Sequence, residues 1–225
     1  MSTTEQSTTS IRVLIAEDER LIRTGVRMVL TADPGIEVVA EAADGREAIE
    51  QARRWRPDVV LMDIRMPNLD GLAATAELRR AVPGTAVVIL TTFGEDEYIA
   101  TALDSGATGF LLKSGDPREL IAGVRAAAEG GAYLSPKVAK RVISGIVPGR
   151  PAREVDAGAR VALLTARERE VLALVGAGLA NAEIGRRLHL VEGTVKTHVS
   201  AILARLGVRN RVQAAIVAYE AGMVD

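Results

Sequence analysis

The sequence has 225 residues, which is long enough for one large domain or two smaller ones, each with its own core. It contains no cysteine, so disulfides and thiolate metal sites are excluded. No apolar run approaches the ~20 residues that span a bilayer. The polar start, MSTTEQSTTS, lacks the basic and apolar regions of a signal peptide. We therefore expect a cytoplasmic protein in which residues 1–10 form a disordered tail.

Charge is distributed unevenly along the chain. Residues 1–135 carry 14 basic and 21 acidic side chains, a net charge of −7, whereas residues 136–225 carry 14 basic and 8 acidic ones, a net charge of +6. An acidic half joined to a basic half suggests two functions, the second on a polyanion such as nucleic acid. Surface charge also varies for solubility alone, so charge does not decide between these interpretations.

The first half alternates short apolar runs with segments of helical periodicity. The runs that predict strands are Val13–Ala16, Ile36–Ala42, Val59–Met62, Ala86–Thr91 and Gly109–Leu112. The segments that predict helices are Leu21–Leu30, Gly45–Arg54, Leu72–Arg80, Glu95–Ser105 and Pro117–Ala128. Five β–α units in succession predict an α/β domain with a flavodoxin-like, doubly wound, five-stranded parallel sheet over residues 11–131.

The composition changes after this domain. Ser144–Arg160 holds two prolines and three glycines with little periodicity, so we interpret residues 132–159 as a linker. The pattern allows one short amphipathic helix, Pro136–Ile143, within it. After Arg160 the sequence shows four helical segments and no strand signal, which predicts a small all-α domain over residues 160–225.

Some helix starts carry local signals. Thr165 and Glu168 fit a capping box, and Asn210 fits an N-cap of the last helix. Asp44 and Asp70 each stand beside a glycine in a turn, where aspartate is favoured locally.

Polar residues follow the predicted strands of the first half. Glu17 and Asp18 follow the first strand, Asp63 the third and Lys113 the fifth, and Thr91 ends the fourth. Parallel strands bind ligands at their carboxyl ends, so these residues should meet. Neighbouring carboxylates repel one another unless a cation compensates them, and carboxylates with water suit Mg²⁺. A lysine and a hydroxyl at the same place are what a phosphoryl group requires.

These residues, in this order, resemble the motif of response-regulator receiver domains over about residues 10–130. The resemblance implies that a sensor histidine kinase phosphorylates Asp63. It also implies a Mg²⁺ cofactor and a switch in which two side chains move inward after phosphorylation. The implied Mg²⁺ ligands are Glu17, Asp18, Asp63 and the backbone carbonyl of Arg65, and the implied phosphoryl-binding and switch residues are Thr91, Lys113 and Phe110.

Two alternatives remain for this domain. Haloacid-dehalogenase-like phosphatases also use an aspartate at a strand end, but they need a second aspartate two residues later as a general acid. Arg65 occupies that position, so dephosphorylation should be slow and the domain should act as a switch, not as a turnover enzyme. The other alternative is a phosphorylation-independent regulator that uses this domain for docking or dimerisation.

The basic half contains a predicted helix-turn-helix. In the segment Glu192–Leu206, apolar residues fall on one face at helical spacing, and the opposite face carries small residues with Lys196 at its flank. A helix with such a face can enter the major groove of DNA. The preceding segment, Asn181–Leu188, is joined to it by a tight turn.

This half is similar to the DNA-binding domain of LuxR/NarL-type regulators over about residues 160–222. The residues that carry the similarity are TAREREVL, 165–172, and TVKTHV, 194–199. The similarity implies DNA contacts to base edges or nearby phosphates by Thr194, Lys196, Thr197 and Ser200, and to the DNA backbone by Arg209 and Asn210. It also implies a dimer contact by the last helix, Arg211–Tyr219. Ala180 and Val191 depart from the family, which usually has a capping serine at both positions.

Together the two resemblances indicate a response regulator of the NarL/FixJ type. Phosphorylation of Asp63 by the kinase, with Mg²⁺, would promote formation of a homodimer. The dimer would bind double-stranded DNA with paired half-sites, because one short helix reads few base pairs.

Overall fold

The computed structural model describes residues 10–91, 96–134 and 150–224. The first two ranges form an α/β domain. Its strands are β1 (Ile11–Ala16), β2 (Ile36–Ala42), β3 (Val59–Asp63), β4 (Ala86–Thr91), β5 (Gly109–Leu112) and β6 (Tyr133–Leu134). Its helices are α1 (Arg20–Thr31), α2 (Gly45–Trp55), α3 (Gly71–Ala81), α4 (Asp96–Ser105) and α5 (Pro117–Ala128).

The strands form one parallel sheet in the order β2-β1-β3-β4-β5-β6. Successive residues of a strand point to opposite faces, and both faces are covered. Val60 and Met62 belong to one apolar cluster, and Val59 and Leu61 to the other. A strand buried on both sides reads as a continuous apolar run, so the prediction of a doubly wound parallel sheet is confirmed.

Two regular elements lie inside the segment that the sequence predicts to be a linker. The strand β6 adds a sixth strand beside β5, and its two residues are too few to produce a periodic signal. Residues 150–159 of the predicted linker belong to a helix that runs from Arg150 to Ala162. The buried residues Ala157 and Val161 are one turn apart on that helix, and the small size of Ala157 conceals the stripe. The predicted helix Pro136–Ile143 and residues 1–9 lie outside the described residues.

The C-terminal domain is helical throughout its described residues. Its helices are α6 (Arg150–Ala162), α7 (Ala166–Gly176), α8 (Asn181–Leu188), α9 (Glu192–Leu206) and α10 (Arg211–Glu220). Thr165 and Glu168 form the predicted capping box at the start of α7, and Asn210 caps α10. A separate apolar cluster, which includes Leu172, Ile184 and Val195, forms its core. None of the described helices combines the length and hydrophobicity needed to span a lipid bilayer.

Candidate functional site

The carboxyl ends of three strands bring the predicted acidic residues and Lys113 together. Lys113 Nζ lies 2.8 Å from Glu17 Oε2 and 2.8 Å from Asp63 Oδ1, so it bridges the residues that follow β1 and end β3. The backbone also joins the neighbouring strands, because the amide of Lys113 donates to the carbonyl of Thr91 at 2.9 Å. We call Glu17, Asp18, Asp63 and Lys113 the acidic pocket.

Burial sets the electrostatics of the acidic pocket. Glu17 is fully buried and Asp63 is 5 % exposed. Burial raises the pKa of both carboxyl groups above their ordinary values, although the hydrogen bonds from Lys113 oppose the change. Burial alone would lower the pKa of Lys113, but its hydrogen bonds to Asp63 and Glu17 outweigh it and the pKa is raised. Lys113 is therefore a cation at neutral pH, and it compensates only part of the negative charge.

The donor set of the pocket fits a divalent metal ion. Oxygen atoms of Glu17, Asp18 and Asp63 lie within 4.8 Å of one another. Glu17 and Asp63 are buried, whereas Asp18 is exposed and leaves an approach from solvent. Hard oxygen donors with unbalanced negative charge are what Mg²⁺ prefers.

The loop after Asp63 depends on a glycine at its end. A Cβ at Gly71 would lie 1.9 Å from the carbonyl oxygen of Asp63, so this position excludes every side chain. The neighbouring Asp70 caps α3 by accepting from the amide of Ala73, and Asp44 caps α2 in the same way, which confirms that both are local turn residues. Arg65 lies on this loop with its guanidinium carbon 5.8 Å from the ring centre of Tyr98 in α4.

Thr91 and Phe110 are already buried in this structure. Thr91 is 4 % exposed at the end of β4, and Phe110 is fully buried in the cluster that includes Met62 and Ile89. Both side chains therefore lie inward in this conformation, and their movement after phosphorylation stays a prediction. Nothing in the structure tests the role of the backbone carbonyl of Arg65, which stays a prediction.

The sequence interpretation missed the residues that hold Glu17 in place. Arg23 in α1 donates to the backbone carbonyl of Glu17, and its Nε lies 3.1 Å from Glu41 Oε2 at the end of β2. The amide of Glu19 donates to Glu17 Oε1 at 3.2 Å. Arg23 stands on a helix with several other arginines, so periodicity alone gave no signal for it.

The predicted recognition helix, α9, has the amphipathic character that its sequence indicates. Val195, Ile202 and Leu206 are buried in the C-terminal core, whereas Lys196, Thr197 and Ser200 are exposed and Thr194 is half-buried. The three exposed residues each have a side-chain partner on their own helix. Thr197 donates to the carbonyl of Gly193, Ser200 to that of Lys196, and Lys196 pairs with Glu192 at 2.7 Å.

Arg209 and Asn210 line the same cleft as Lys196 and Ser200, but both are bonded to the N-terminal domain. Arg209 donates to the carbonyl of Asp104 in α4, and Asn210 Nδ2 donates to the carbonyl of Leu103 at 2.6 Å. Asn210 is 3 % exposed. In this arrangement Asn210 cannot reach the DNA backbone, because its carboxamide is buried against the N-terminal domain. Its predicted DNA contact requires the domains to separate.

The two domains make further contacts that sequence reasoning did not identify. Asn181 donates to the carbonyl of Glu129 and Arg211 to that of Gly130. Val212 is buried in an apolar cluster of the N-terminal domain, and Ile216 packs against it, so one face of α10 is covered. Between the domains lies a cleft of about 530 Å³, lined on one side by Lys196, Val199, Ser200 and Leu203 of α9. The recognition helix therefore faces the N-terminal domain.

Comparison with known proteins agrees with this geometry in both domains. Residues 13–125 match the family described as response regulator receiver domain. Residues 162–218 match the family described as bacterial regulatory proteins, luxR family. The acidic pocket lies in the first matched region and the recognition helix in the second.

Similar proteins span the chain almost from end to end. The uncharacterized transcriptional regulatory protein YxjL of Bacillus subtilis is 40% identical over 96% of this chain and 98% of its own. The transcriptional regulatory protein LiaR of the same organism is 38% identical over 96% of this chain and all of its own. The crystal structure of the response regulator ChrA, from a heme-sensing two-component system, is 36% identical, covers 96% of this chain and 99% of its own, and has a TM-score of 0.53.

Proposed function

The chain belongs to the DNA-binding transcriptional response regulators, with a receiver domain followed by a LuxR-family domain, and from that premise we propose that phosphorylation of Asp63 controls its binding to DNA. The observation that carries the proposal is the bridge from Lys113 to Asp63 and Glu17 at the carboxyl ends of β5, β3 and β1. Such a pocket holds net negative charge that a bound metal ion would compensate, both before and after a phosphoryl group is added.

The phosphorylation step uses the groups of the acidic pocket directly. A carboxylate oxygen of Asp63 attacks the phosphorus of a phosphohistidine on a sensor kinase, the new P–O bond forms, and the P–N bond breaks with release of the imidazole. Lys113, already bonded to Asp63, neutralises one oxygen of the transferred group, and the hydroxyl of Thr91 donates to another. Glu17, Asp18 and Asp63, together with the carbonyl of Arg65, would hold Mg²⁺, which would supply charge neutralisation.

Arg65 explains why the phosphoryl group should persist. No carboxyl group follows Asp63 at the second position of the loop, and an arginine there cannot act as a general acid or base at neutral pH. Hydrolysis of the aspartyl phosphate is therefore slow, and the protein stores a signal.

Transfer of labelled phosphate from a small phosphodonor tests the acceptor. Wild-type protein with Mg²⁺ should become labelled, and Asp63→Asn should not. The matched control is Asp70→Asn, because Asp70 is an exposed helix cap in the same loop and asparagine caps equally well. Labelling of Asp63→Asn at the wild-type level would refute the assignment.

The output of the switch is the recognition surface of α9. We infer that Thr194, Lys196, Thr197 and Ser200 contact bases or phosphates once this face leaves the cleft, and that Arg209 and Asn210 then approach the DNA backbone. Lys196→Ala should weaken binding and reduce its dependence on salt concentration by about one counterion. Arg118→Ala removes an exposed cation of α5, far along the chain from α9, and should leave both unchanged. An unaltered salt dependence in Lys196→Ala would show that the helix is placed wrongly.

The contact between the two domains is what phosphorylation would release. The receiver covers one face of α10, the helix expected to form the dimer contact, and faces the DNA-binding side of α9. Separation of the domains would free both, and two copies could then bind paired half-sites. Sedimentation and DNA titrations with and without phosphodonor test this step. Equal affinity in both conditions would favour the alternative, a phosphorylation-independent regulator that uses the receiver for docking.

A further inference from the structure

Two buried asparagines of the DNA-binding domain have the same divided arrangement. Asn210 accepts from the amide of Gln213 through Oδ1 at 2.9 Å and donates through Nδ2 to the carbonyl of Leu103. Asn181 accepts from Arg211 Nη1 through Oδ1 at 2.8 Å and donates through Nδ2 to the carbonyl of Glu129 at 3.0 Å. In each case the oxygen accepts from a donor in its own domain, and the nitrogen donates to a carbonyl of the receiver.

The partners fix the orientation of both carboxamides. A carbonyl oxygen can only accept a hydrogen bond, and an amide N–H or a guanidinium can only donate one. Rotating either carboxamide by half a turn would therefore lose both of its bonds. Asn181 is 2 % exposed and Asn210 is 3 % exposed, so water cannot replace the lost partners.

Both receiver carbonyls lie at the C-terminal end of a helix. Leu103 is in the last turn of α4, and Glu129 directly follows α5. Carbonyls at helix C-termini carry the negative end of the helix dipole, and they have fewer amide donors than those of the interior: the Leu103 carbonyl accepts one backbone bond, from the amide of Gly106 at 3.0 Å, and has a second lone pair for Asn210. Donors from another domain therefore bind there more favourably than at a carbonyl within a helix.

We propose that Asn181 and Asn210 form an asparagine clasp, which holds the DNA-binding domain to the receiver by capping the C-terminal ends of α5 and α4 in trans. The clasp specifies which hydrogen bonds hold the two domains together. Only its role in regulation rests on the proposed function. Bonds from Arg211 to Gly130 and from Gln213 to Asp104 lie beside it. Because the Asn210 carboxamide is 3 % exposed while it binds the α4 carbonyl, a DNA phosphate cannot reach it in this arrangement.

Substitution of each asparagine by aspartate separates the acceptor function of the carboxamide from its donor function. Aspartate has nearly the same shape and keeps the oxygen acceptor, so Asn210→Asp still caps α10 and Asn181→Asp still accepts from Arg211. It replaces the crossing donor with a charged oxygen that faces a carbonyl, and that contact is repulsive. Alanine, in contrast, removes both functions at once.

A single introduced thiol can measure opening, because the chain has no cysteine. Val212 is 3 % exposed and packs in an apolar cluster of the receiver, so the alkylation rate of Val212→Cys by a maleimide reports separation of the domains. In the full-length chain, Asn210→Asp and Asn181→Asp should each raise this rate by roughly tenfold, the effect of losing one buried hydrogen bond. Hydrogen exchange within α10 should stay slow in Asn210→Asp and become faster in Asn210→Ala.

The control is Gln51→Glu, which makes the same change of carboxamide to carboxylate on α2. Gln51 accepts from Trp55 through its oxygen and does not belong to the interface, so the alkylation rate should not change. A second measurement controls for domain opening caused by Val212→Cys itself. Hydrogen exchange at Gly106 and Ala107, which follow α4, is compared between the wild-type chain and the aspartate variants with Val212 retained. An alkylation rate in both aspartate variants equal to that of Gln51→Glu would overturn the clasp, as would acceleration by alanine alone.

The alkylation rates of the variants are compared first without phosphodonor and then with it, and the two comparisons separate the clasp from the proposed switch. Faster alkylation in the aspartate variants with no response to phosphodonor would support the clasp and refute control by phosphorylation. Acceleration by phosphodonor without any effect of the aspartates would refute the clasp and leave the switch intact.

Discussion

The two functional surfaces of this protein place their charged side chains in opposite environments. In the acidic pocket of the receiver, the side chains of Glu17, Asp63 and Lys113 are 0 %, 7 % and 8 % exposed and contact one another. On α9 the side chain of Lys196 is 55 % exposed, and its partner Glu192 is on the same helix. The pocket is a coupled set of desolvated charges, whereas the recognition face is a set of separate groups in water.

This difference determines how stability and function are related. Removal of one member of a buried set leaves its partners without compensation, so a change in the pocket alters folding and chemistry together. An exposed pair contributes little to stability, so residues of the recognition face can change DNA binding while the fold is unaffected. The predictions below test where this contrast holds and where it fails, in order of decreasing effect.

Lys113→Met should have the largest effect on stability. It leaves two buried carboxylates facing each other, which should lower the free energy of unfolding at pH 7 by about 3 kcal/mol. Loss of the cation raises the pKa of Glu17 and Asp63 further above their ordinary values. A carboxyl group with a raised pKa in the folded state favours folding at low pH and disfavours it as the pH rises. The variant should therefore recover stability between pH 7 and pH 5, as denaturant titrations would show.

The matched test of this explanation is the double variant Lys113→Met with Glu17→Gln. It removes one of the two carboxylates, so it should be more stable at pH 7 than Lys113→Met alone. The control Lys196→Met removes an exposed lysine and should change the free energy of unfolding by less than about 0.5 kcal/mol. If the two single variants were equally stable, the contrast between the surfaces would be wrong.

Glu168 is the place where the DNA-binding domain resembles the pocket. It is 4 % exposed, and it accepts from the amide of Thr165 at 2.8 Å and from Arg205 Nη1 at 3.0 Å. The backbone hydrogen bond from Thr165 lowers the pKa of Glu168, with the Thr165 hydroxyl and Arg205 adding to the effect. Glu168→Gln should cost about 1–2 kcal/mol at pH 7.

The pH dependence of this cost has the opposite sign from that of Lys113→Met. A lowered pKa gives stability above the ordinary value of 4.5, which is lost as the pH falls through the pKa of the folded state. The difference in unfolding free energy between wild type and Glu168→Gln should therefore shrink below pH 4.5. Thermal unfolding, followed through the transition of this domain, measures it. A difference that stays constant down to acid pH would show that the charge of Glu168 contributes nothing.

The same contrast explains what the sequence could predict. Asp63 and Lys113 were identifiable because the ends of parallel strands meet at one edge, a consequence of topology that needs no distances. The helix caps Asp44, Asp70 and Asn210 are local and were identified equally well. The second bond of Asn210 was not predictable, because it depends on the position of one domain against another. The same holds for Asn181, Arg211 and Val212, whose partners are far away in the sequence.

Mg²⁺ should stabilise the receiver through its exposed ligand. A ligand that binds only the folded state adds about 1 kcal/mol when its concentration is five times the dissociation constant. Asp18→Asn should abolish this gain with little loss of stability in the absence of metal, because Asp18 is the exposed member of the cluster. Thermal unfolding of both proteins across a Mg²⁺ titration measures the effect. Ca²⁺ at equal ionic strength and the Asp70→Asn variant serve as controls, and a gain that Asp18→Asn retains would exclude this residue as a ligand.

The smallest effect concerns the start of the recognition helix. Val191 precedes α9 in extended backbone, is 74 % exposed, and provides no side-chain cap. Val191→Ser should add a bond to a free amide of the first turn and raise the free energy of unfolding by about 0.5–1 kcal/mol. Val191→Ala is the control for removing the exposed apolar side chain. Ala180→Ser should gain a similar amount, since its hydroxyl would accept from the amide of residue 183 and complete a capping box with Glu183, which already accepts from the amide of residue 180 at 2.8 Å. If Val191→Ser also tightens DNA binding while Ala180→Ser does not, the hydroxyl at the start of α9 contacts phosphate in addition to capping. Equal unfolding free energies for Val191→Ser and Val191→Ala would mean that water already binds the free amides at the start of α9. The exposed face of α9 would then contribute even less to the stability of the fold than the contrast with the pocket implies.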